Sequence, residues 1–290
     1  LAALFAPAVQ ALIPDLVPRD RLAAANSVSQ ISRQASMLVG QALGGVLYAA
    51  LGAAGLLLFD ALSFAYAGIA TWLLPPDRRG AAPKTSVRLV LRRYLEDTRD
   101  GLAYVWRRRG MAAVLVLFAG VNCLFMPVFV LLPFYVRDVL GRGPEWYGFL
   151  LAGSGAGALL GSIAAGVWLT RAPAGVRVIR VCVGGIAGCV LLVAMTPLPS
   201  LALAAFIGVG AMSSIVNVTV MTAFQSAAPS DLRGRVMSLV IAVSTAAVPI
   251  GMGLGGVMGD LWRGSLPLVF AGCGIAIAML TGLSWRIGGF

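Results

Sequence analysis

The sequence predicts an all-α polytopic membrane protein built from two related halves, and three observations predict it. First, 59% of the 290 residues are apolar and 11% are charged. A soluble domain carries about 25% charged residues and could not cover its surface with so few. Second, the apolar residues fall in blocks long enough for membrane spans of about 20 residues each. Third, LGGVL at Leu43–Leu47 returns 211 residues later as LGGVM at Leu254–Met258. The flanks extend the match without a gap, PRDRLAAANSVSQISRQASMLVGQALGGVL (Pro18–Leu47) over PSDLRGRVMSLVIAVSTAAVPIGMGLGGVM (Pro229–Met258). Nine of the thirty positions are identical, including Pro18/Pro229, Asp20/Asp231, Ser27/Ser238 and Gly40/Gly251. An apolar composition supplies matching Leu, Val and Gly by itself, but not a Pro-x-Asp in the same register.

In chain order, the apolar run LAALFAPAVQALIP opens at Leu1 and is about two-thirds of a span long. Eight full spans are expected after it, near 24–50, 53–75, 111–136, 147–170, 178–197, 200–225, 236–260 and 265–287. Connections are short except for 76–110. There, SVRLVLRRYLEDTRDGLAYVWRRRG repeats Val87, Leu91, Tyr94, Leu95, Thr98, Leu102, Val105 and Trp106 at helical spacing, opposite a basic face with a few acids. Such a segment suits the headgroup layer, with Trp106 and Arg107–Arg109 anchoring the next span. A partner-binding helix is the functional alternative. The repeat offset equals six spans plus this connection, so six-span halves are implied. The expected divisions are 1–75 for the remainder of a first half, 76–110 for a linker and 111–290 for a second half.

Charge fixes the expected orientation. Arg19, Arg21, the ten basic residues from Arg78 to Arg109, Arg171, Arg177, Arg180, Arg233, Arg235 and Arg286 fall on one side. Arg137, Arg142 and Arg263 fall on the other. By the positive-inside rule the basic side is cytoplasmic, and with it the C-terminus. This placement between spans explains the net charge of +11 without a nucleic-acid partner. The four cysteines, Cys123, Cys182, Cys189 and Cys273, all lie inside apolar blocks at neither disulfide nor metal spacing. Histidine is absent, which removes the commonest general base. The reading is therefore no enzyme and no cofactor, although a membrane-embedded enzyme is kept as an alternative class.

Several segments in this order resemble the major facilitator superfamily, and within it the bacterial exporter branch of the enterobactin exporter and macrolide-efflux permeases. They are FAPAVQALIPDLVPRDRLAAANS (Phe5–Ser27), FDALSFAYAG (Phe59–Gly68), DTRDGLAYVWRRRG (Asp97–Gly110), LLPFYVRDVLGRGPEWYGFLLAGSGAGALLGS (Leu131–Ser162) and FQSAAPSDLRGRVMSL (Phe224–Leu239). The resemblance implies that the chain runs from the middle of the family's fourth span to its twelfth, with the natural N-terminus missing. It also implies proton-coupled efflux of a small amphiphile, a drug or a siderophore, by alternating access in a bacterial inner membrane. A monomer, protons and the bilayer are the implied partners; an inactive remnant or partner subunit is the alternative. Two motifs depart from the family. The antiporter motif ending Gly-Pro-x-x-Gly-Gly reads Gly40-Gln41-Ala42-Leu43-Gly44-Gly45, and Thr170 stands where an Asp is common.

Candidate functional residues follow from what hydrocarbon penalises. Ser27, Gln30, Arg33, Gln34 and Gln41 share one helical face, and an Arg at a span centre costs about 2.5–3.5 kcal/mol on insertion scales. Arg33 is read as an anion or carboxylate partner, or as an interfacial Arg that snorkels out. Asp60 is the acid clearly inside a span; low dielectric disfavours a charged carboxylate, so such a group can take up and release a proton. Its structural alternative is an Asp satisfied by Ser63. Asn122 and Asn217 sit in the first and fourth spans of the second half, which the resemblance makes cavity-lining; a helix–helix hydrogen bond is the alternative. Gly153, Gly157 and Gly161, and Gly251, Gly255 and Gly259, recur every four residues, with Gly40, Gly44 and Gly45 beginning the same series on the repeat mate of Gly251, Gly255 and Gly256. Such series form grooves for a close helix. The resemblance places them between the halves, with static packing as the alternative. Asp231, Arg233 and Arg235 are expected in a cytoplasmic hinge loop, or as plain positive-inside charge.

Overall fold

The computed structural model describes residues 17–18, 21–72, 99, 101–168, 175–229, 232–262 and 264–285, with the backbone alone for 37–53, 56, 67–72 and 144. Seven helices are described: α1 (Leu22–Trp72), α2 (Arg109–Asp138), α3 (Pro144–Trp168), α4 (Val176–Met195), α5 (Pro199–Ala227), α6 (Arg233–Leu261) and α7 (Leu266–Trp285). From α2 to α7 each helix is long and apolar enough to cross a membrane. Their ends lie within three residues of the predicted spans, because Gly, Pro and Arg clusters punctuate this part of the chain. The opening run, all of 76–98 and Asp231 lie outside the described residues.

One expectation is corrected. The spans predicted at 24–50 and 53–75 are not two helices, since α1 runs unbroken through residues 50–53. The predicted break rested on block length and Gly52. One Gly costs only about 0.8–1.0 kcal/mol in a helix, and neither Pro nor a charged residue stands nearby to stop it.

Contacts divide the chain into two compact units, 1–32 with 96–290 and 33–95. In the smaller unit, α1 exposes Leu57, Leu58, Phe59, Leu62, Phe64 and Tyr66, an apolar surface that suits lipid. The larger unit carries the six-helix bundle. One cluster of its core, around Met111, Val114, Ile179, Phe224, Val236 and Met237, lies toward the basic end. A second, around Tyr135, Val190, Phe206, Val269 and Phe270, lies toward the other.

The internal repeat is visible in the backbone. The amide of Arg21 donates to the carbonyl of Pro18 at 2.9 Å, and that of Leu232 to Pro229 at 3.1 Å. These are the same turn at the same register, 211 residues apart. The helices that follow, α1 and α6, begin at matching positions, Leu22 and Arg233. A proline cannot donate, but its carbonyl closes an i→i+3 turn, so Pro18 and Pro229 mark the same entry into each helix.

The linker's end is packed rather than merely interfacial. Residues 101–107 are helical. Val105 is fully buried in the basic-end core cluster, and Tyr104 Oη donates to the Ala227 carbonyl at 2.9 Å. A Cβ on Gly101 would stand 3.0 Å from the Arg235 carbonyl, so a side chain there would crowd the start of α6. Leu102 and Trp106 are exposed.

Candidate substrate site and helix contacts

Asn122 and Asn217 line one pocket. Phe118, Val121, Asn122 and Phe125 of α2, Ile186 of α4, and Ser213, Val216 and Asn217 of α5 enclose about 50 Å³. Phe118, Val121 and Val216 belong to the basic-end core cluster and Phe125 and Ile186 to the other, which sets the pocket between them, partway along the bundle. Asn122 Nδ2 donates to the Phe118 carbonyl at 2.8 Å and Asn217 Nδ2 to the Ser213 carbonyl at 3.1 Å. Each amide thus bonds its own preceding turn and does not link two helices. Each keeps a carbonyl oxygen and a second N–H for a guest. The volume admits a few waters or one edge of a ligand, against about 300–1,000 Å³ for a drug-sized site.

The glycine series have identified partners. Gly153, Gly157 and Gly161 of α3 face Leu203, Ile207 and Ala211 of α5, and Gly210 of α5 faces the Ser154 carbonyl in return. Gly251, Gly255 and Gly259 of α6 face Cys123, Pro127 and Leu131 of α2. Both sides of each contact advance by four residues, with main chain against Gly157, Gly161, Gly251 and Gly255 and a leucine side chain against Gly153 and Gly259. Ser162 and Ser214 add a buried hydroxyl–hydroxyl bond of 2.5 Å between α3 and α5. These partners lie in the same half of the sequence. A small-residue groove shows that a backbone approaches without showing whose, and the nearest neighbours of these six glycines fit the static-packing alternative. Gly256 has open space where a Cβ would stand.

The remaining candidates are dispersed. Gln30 and Gln34 are half-buried and Arg33 is exposed. Asp60 is exposed, and Ser63 Oγ donates to its backbone carbonyl at 2.7 Å rather than to its carboxylate. Gln41, Gly40, Gly44 and Gly45 lie on α1, their surroundings outside the described residues. Arg233 is buried at the first position of α6 and Arg235 is half-buried beside it, so neither is a freely solvated surface charge.

A polar cluster escaped the sequence reading. Asn26 Nδ2 donates to Thr222 Oγ1 at 3.0 Å and to Gln225 Oε1 at 2.6 Å. All three side chains are buried, and Asn26 Oδ1 has no hydrogen-bond partner among the described residues. Each bond is worth about 0.5–1.5 kcal/mol net, whereas an unmet buried acceptor costs about 1–3 kcal/mol, so the cluster is near balance. The available signal was that Asn26 begins the polar face of Gln30 and Arg33, but a polar residue at a span's edge reads as interfacial.

Residues 1–252 match the profile of the Major Facilitator Superfamily. The chain belongs to that superfamily. It is therefore a membrane-spanning transporter chain and not an enzyme. It is 28% identical to the uncharacterized MFS-type transporter YfiS of Bacillus subtilis, over 99% of this chain and 68% of that one. It is 28% identical to the multidrug efflux pump Tap of Mycobacterium tuberculosis, over 90% of this chain and 62% of that one. Macrolide efflux protein A of Enterococcus faecalis is 22% identical, over 85% and 75%. A crystal structure of a bacterial homologue of the iron transporter ferroportin in an outward-facing state superposes with a TM-score of 0.66 at 16% identity, over 94% of this chain and 65% of that one, which shows the fold alone. The chain spans about two-thirds of the length of such superfamily members.

Proposed function

We propose that this major facilitator chain exports a small amphiphilic molecule, a drug or a siderophore, by alternating access coupled to proton entry. In this reading it is a monomer of a bacterial inner membrane with its C-terminus cytoplasmic, and 1–75, 76–110 and 111–290 are first-half remainder, linker and second half. The observation that carries the substrate reading is the pocket that joins Asn122 and Asn217. Two amides with spare donors and acceptors, walled by Phe118, Phe125, Val121, Val216 and Ile186, match a molecule with a large apolar body and a few polar groups. Its position partway along the spans is where carriers of this kind hold substrate. Two similar proteins bear efflux names, which supports the outward direction. The pocket is smaller than any such ligand, so further contacts come from elsewhere in the transporter. Gln30, Arg33, Gln34 and Gln41 are the candidates by their shared helical face. Asp60 is the candidate proton carrier.

The test is accumulation of a macrolide and of a lipophilic cationic dye in inside-out vesicles carrying the full-length protein. Uptake that saturates, depends on a proton gradient and collapses with a protonophore is the expected result. Gradient-independent uptake would remove proton coupling, and no uptake above empty vesicles for either compound would remove the efflux reading for that class of molecule.

A further inference from the structure

We propose that Asn26, Thr222 and Gln225 form a latch that closes the basic end of the transporter and parts in each cycle. The proposal rests on the transport reading above, since a latch has a purpose only where that end must open. Asn26 stands in the first turns of α1, which the repeat assigns to the first half, and its partners stand near the end of α5 in the second half, 196 and 199 residues away. The contact is thus a direct bond between the halves, made next to the basic loops. Asn26 is 4% exposed, Thr222 8% and Gln225 0%, so water is shut out while it holds.

The repeat shows why this contact is suited to release. The position matching Asn26 in the second half is Met237, which is fully buried in the apolar cluster with Phe224 and Val236. Parting an apolar contact exposes its surface to water at full cost. Parting amide and hydroxyl groups exchanges one hydrogen-bond partner for another, and the unmet Asn26 Oδ1 gains one. The same helix entry is therefore sealed by methionine where it stays within its own half, and by an amide where it meets the other. The neighbouring contact is equally smooth. Ser27 lies against Gly166 of α3, where an added Cβ would stand 3.1 Å away, so no bulky side chain interlocks across it.

The test uses the full-length protein with Cys123, Cys182, Cys189 and Cys273 replaced by Ala. In one arm, Asn26→Cys and Thr222→Cys are joined by a short bifunctional methanethiosulfonate. The linked protein is expected to lose at least about tenfold in transport rate and to regain it on reduction. Linked protein that transports within about twofold of its reduced form overturns the latch. In the other arm, Ser27→Cys reports opening through its reaction with a membrane-impermeant maleimide in inside-out vesicles. Thr222→Val and Gln225→Ala, each checked for monodisperse elution in detergent, are expected to speed labelling at least about fivefold. Unchanged labelling in both variants overturns the proposal. This arm needs no substrate, so absence of transport would sink the functional reading while labelling still judged the latch.

Discussion

Gly157 of α3 lies directly on the main chain of Ile207 in α5, with no room for a Cβ against the Ile207 carbonyl. Gly161 meets Ala211 in the same way one turn later. Backbone cannot swing aside as a flexible side chain can, so Gly157→Ala must push two helices apart. Overpacking of this kind costs about 1–3 kcal/mol. Gly256→Ala is the control: a Cβ there meets nothing within 4 Å, and Ala favours a helix over Gly by about 0.8–1.0 kcal/mol. Thermal unfolding of the two variants in detergent should show a lower midpoint for Gly157→Ala and an unchanged or higher one for Gly256→Ala. The reverse order would mean that α3 and α5 do not approach as described.

A second prediction concerns Tyr135. Its ring stacks on Phe270 with centroids 4.8 Å apart, and its hydroxyl donates its one proton to the Val193 carbonyl at 2.6 Å, with the Thr196 carbonyl 3.2 Å away. Val193 lies in the last turn of α4, where carbonyls lack partners within the helix, so Tyr135 supplies a cap from a neighbouring helix. Tyr135→Phe keeps the stack and should cost about 1 kcal/mol. Tyr135→Ala also empties the core and should cost about 3–5 kcal/mol, as for a buried Phe. Equal shifts in unfolding midpoint for the two would remove the cap from the account.

A third prediction separates coupling from folding. Asp60→Asn removes a charge while keeping shape, and in the proposed scheme it abolishes proton-driven export with expression unchanged. The side chain is exposed on α1 and its carboxylate is not the acceptor of the Ser63 bond, so stability should not move. Undiminished export against a gradient in this variant takes Asp60 out of the mechanism.

The helices from α2 to α7 were legible because Gly141–Pro144, Arg171–Gly175 and Pro197–Pro199 interrupt the apolar blocks with residues that stop helices. The repeat was legible because Pro18 and Pro229 sit on a turn that composition cannot imitate. The end of the first span was not, since Leu51-Gly52-Ala53 contains no residue strong enough to break a helix. Glycine spacing announced grooves but not partners: Gly255 meets Pro127 through three-dimensional proximity that no local pattern encodes. Asn122 and Asn217 were legible as a pair only through family resemblance, because two polar residues 95 positions apart carry no mutual signal. Asn26 was missed for the same reason, with its partners at Thr222 and Gln225.

The pocket itself makes the last prediction. Asn122→Leu and Asn217→Leu keep the branched outline, in a somewhat larger side chain, while removing a donor and an acceptor, and each also frees only a side-chain bond to its own helix. Since each bond only adds a side-chain donor to a carbonyl of its own helix, folding should change little. A lost hydrogen bond to substrate is worth about 0.5–1.5 kcal/mol, or about 2–10-fold in affinity. The expected outcome is a KM raised by that factor for substrates with polar groups, a smaller change for those without, and a maximal rate within about twofold. Because both amides face one pocket, the double variant should fall short of the product of the two single effects if both hold the same polar group of the substrate. Full additivity would mean that they hold different groups. An unchanged KM in both single variants, with midpoints of unfolding lowered, would return the two asparagines to a purely structural role.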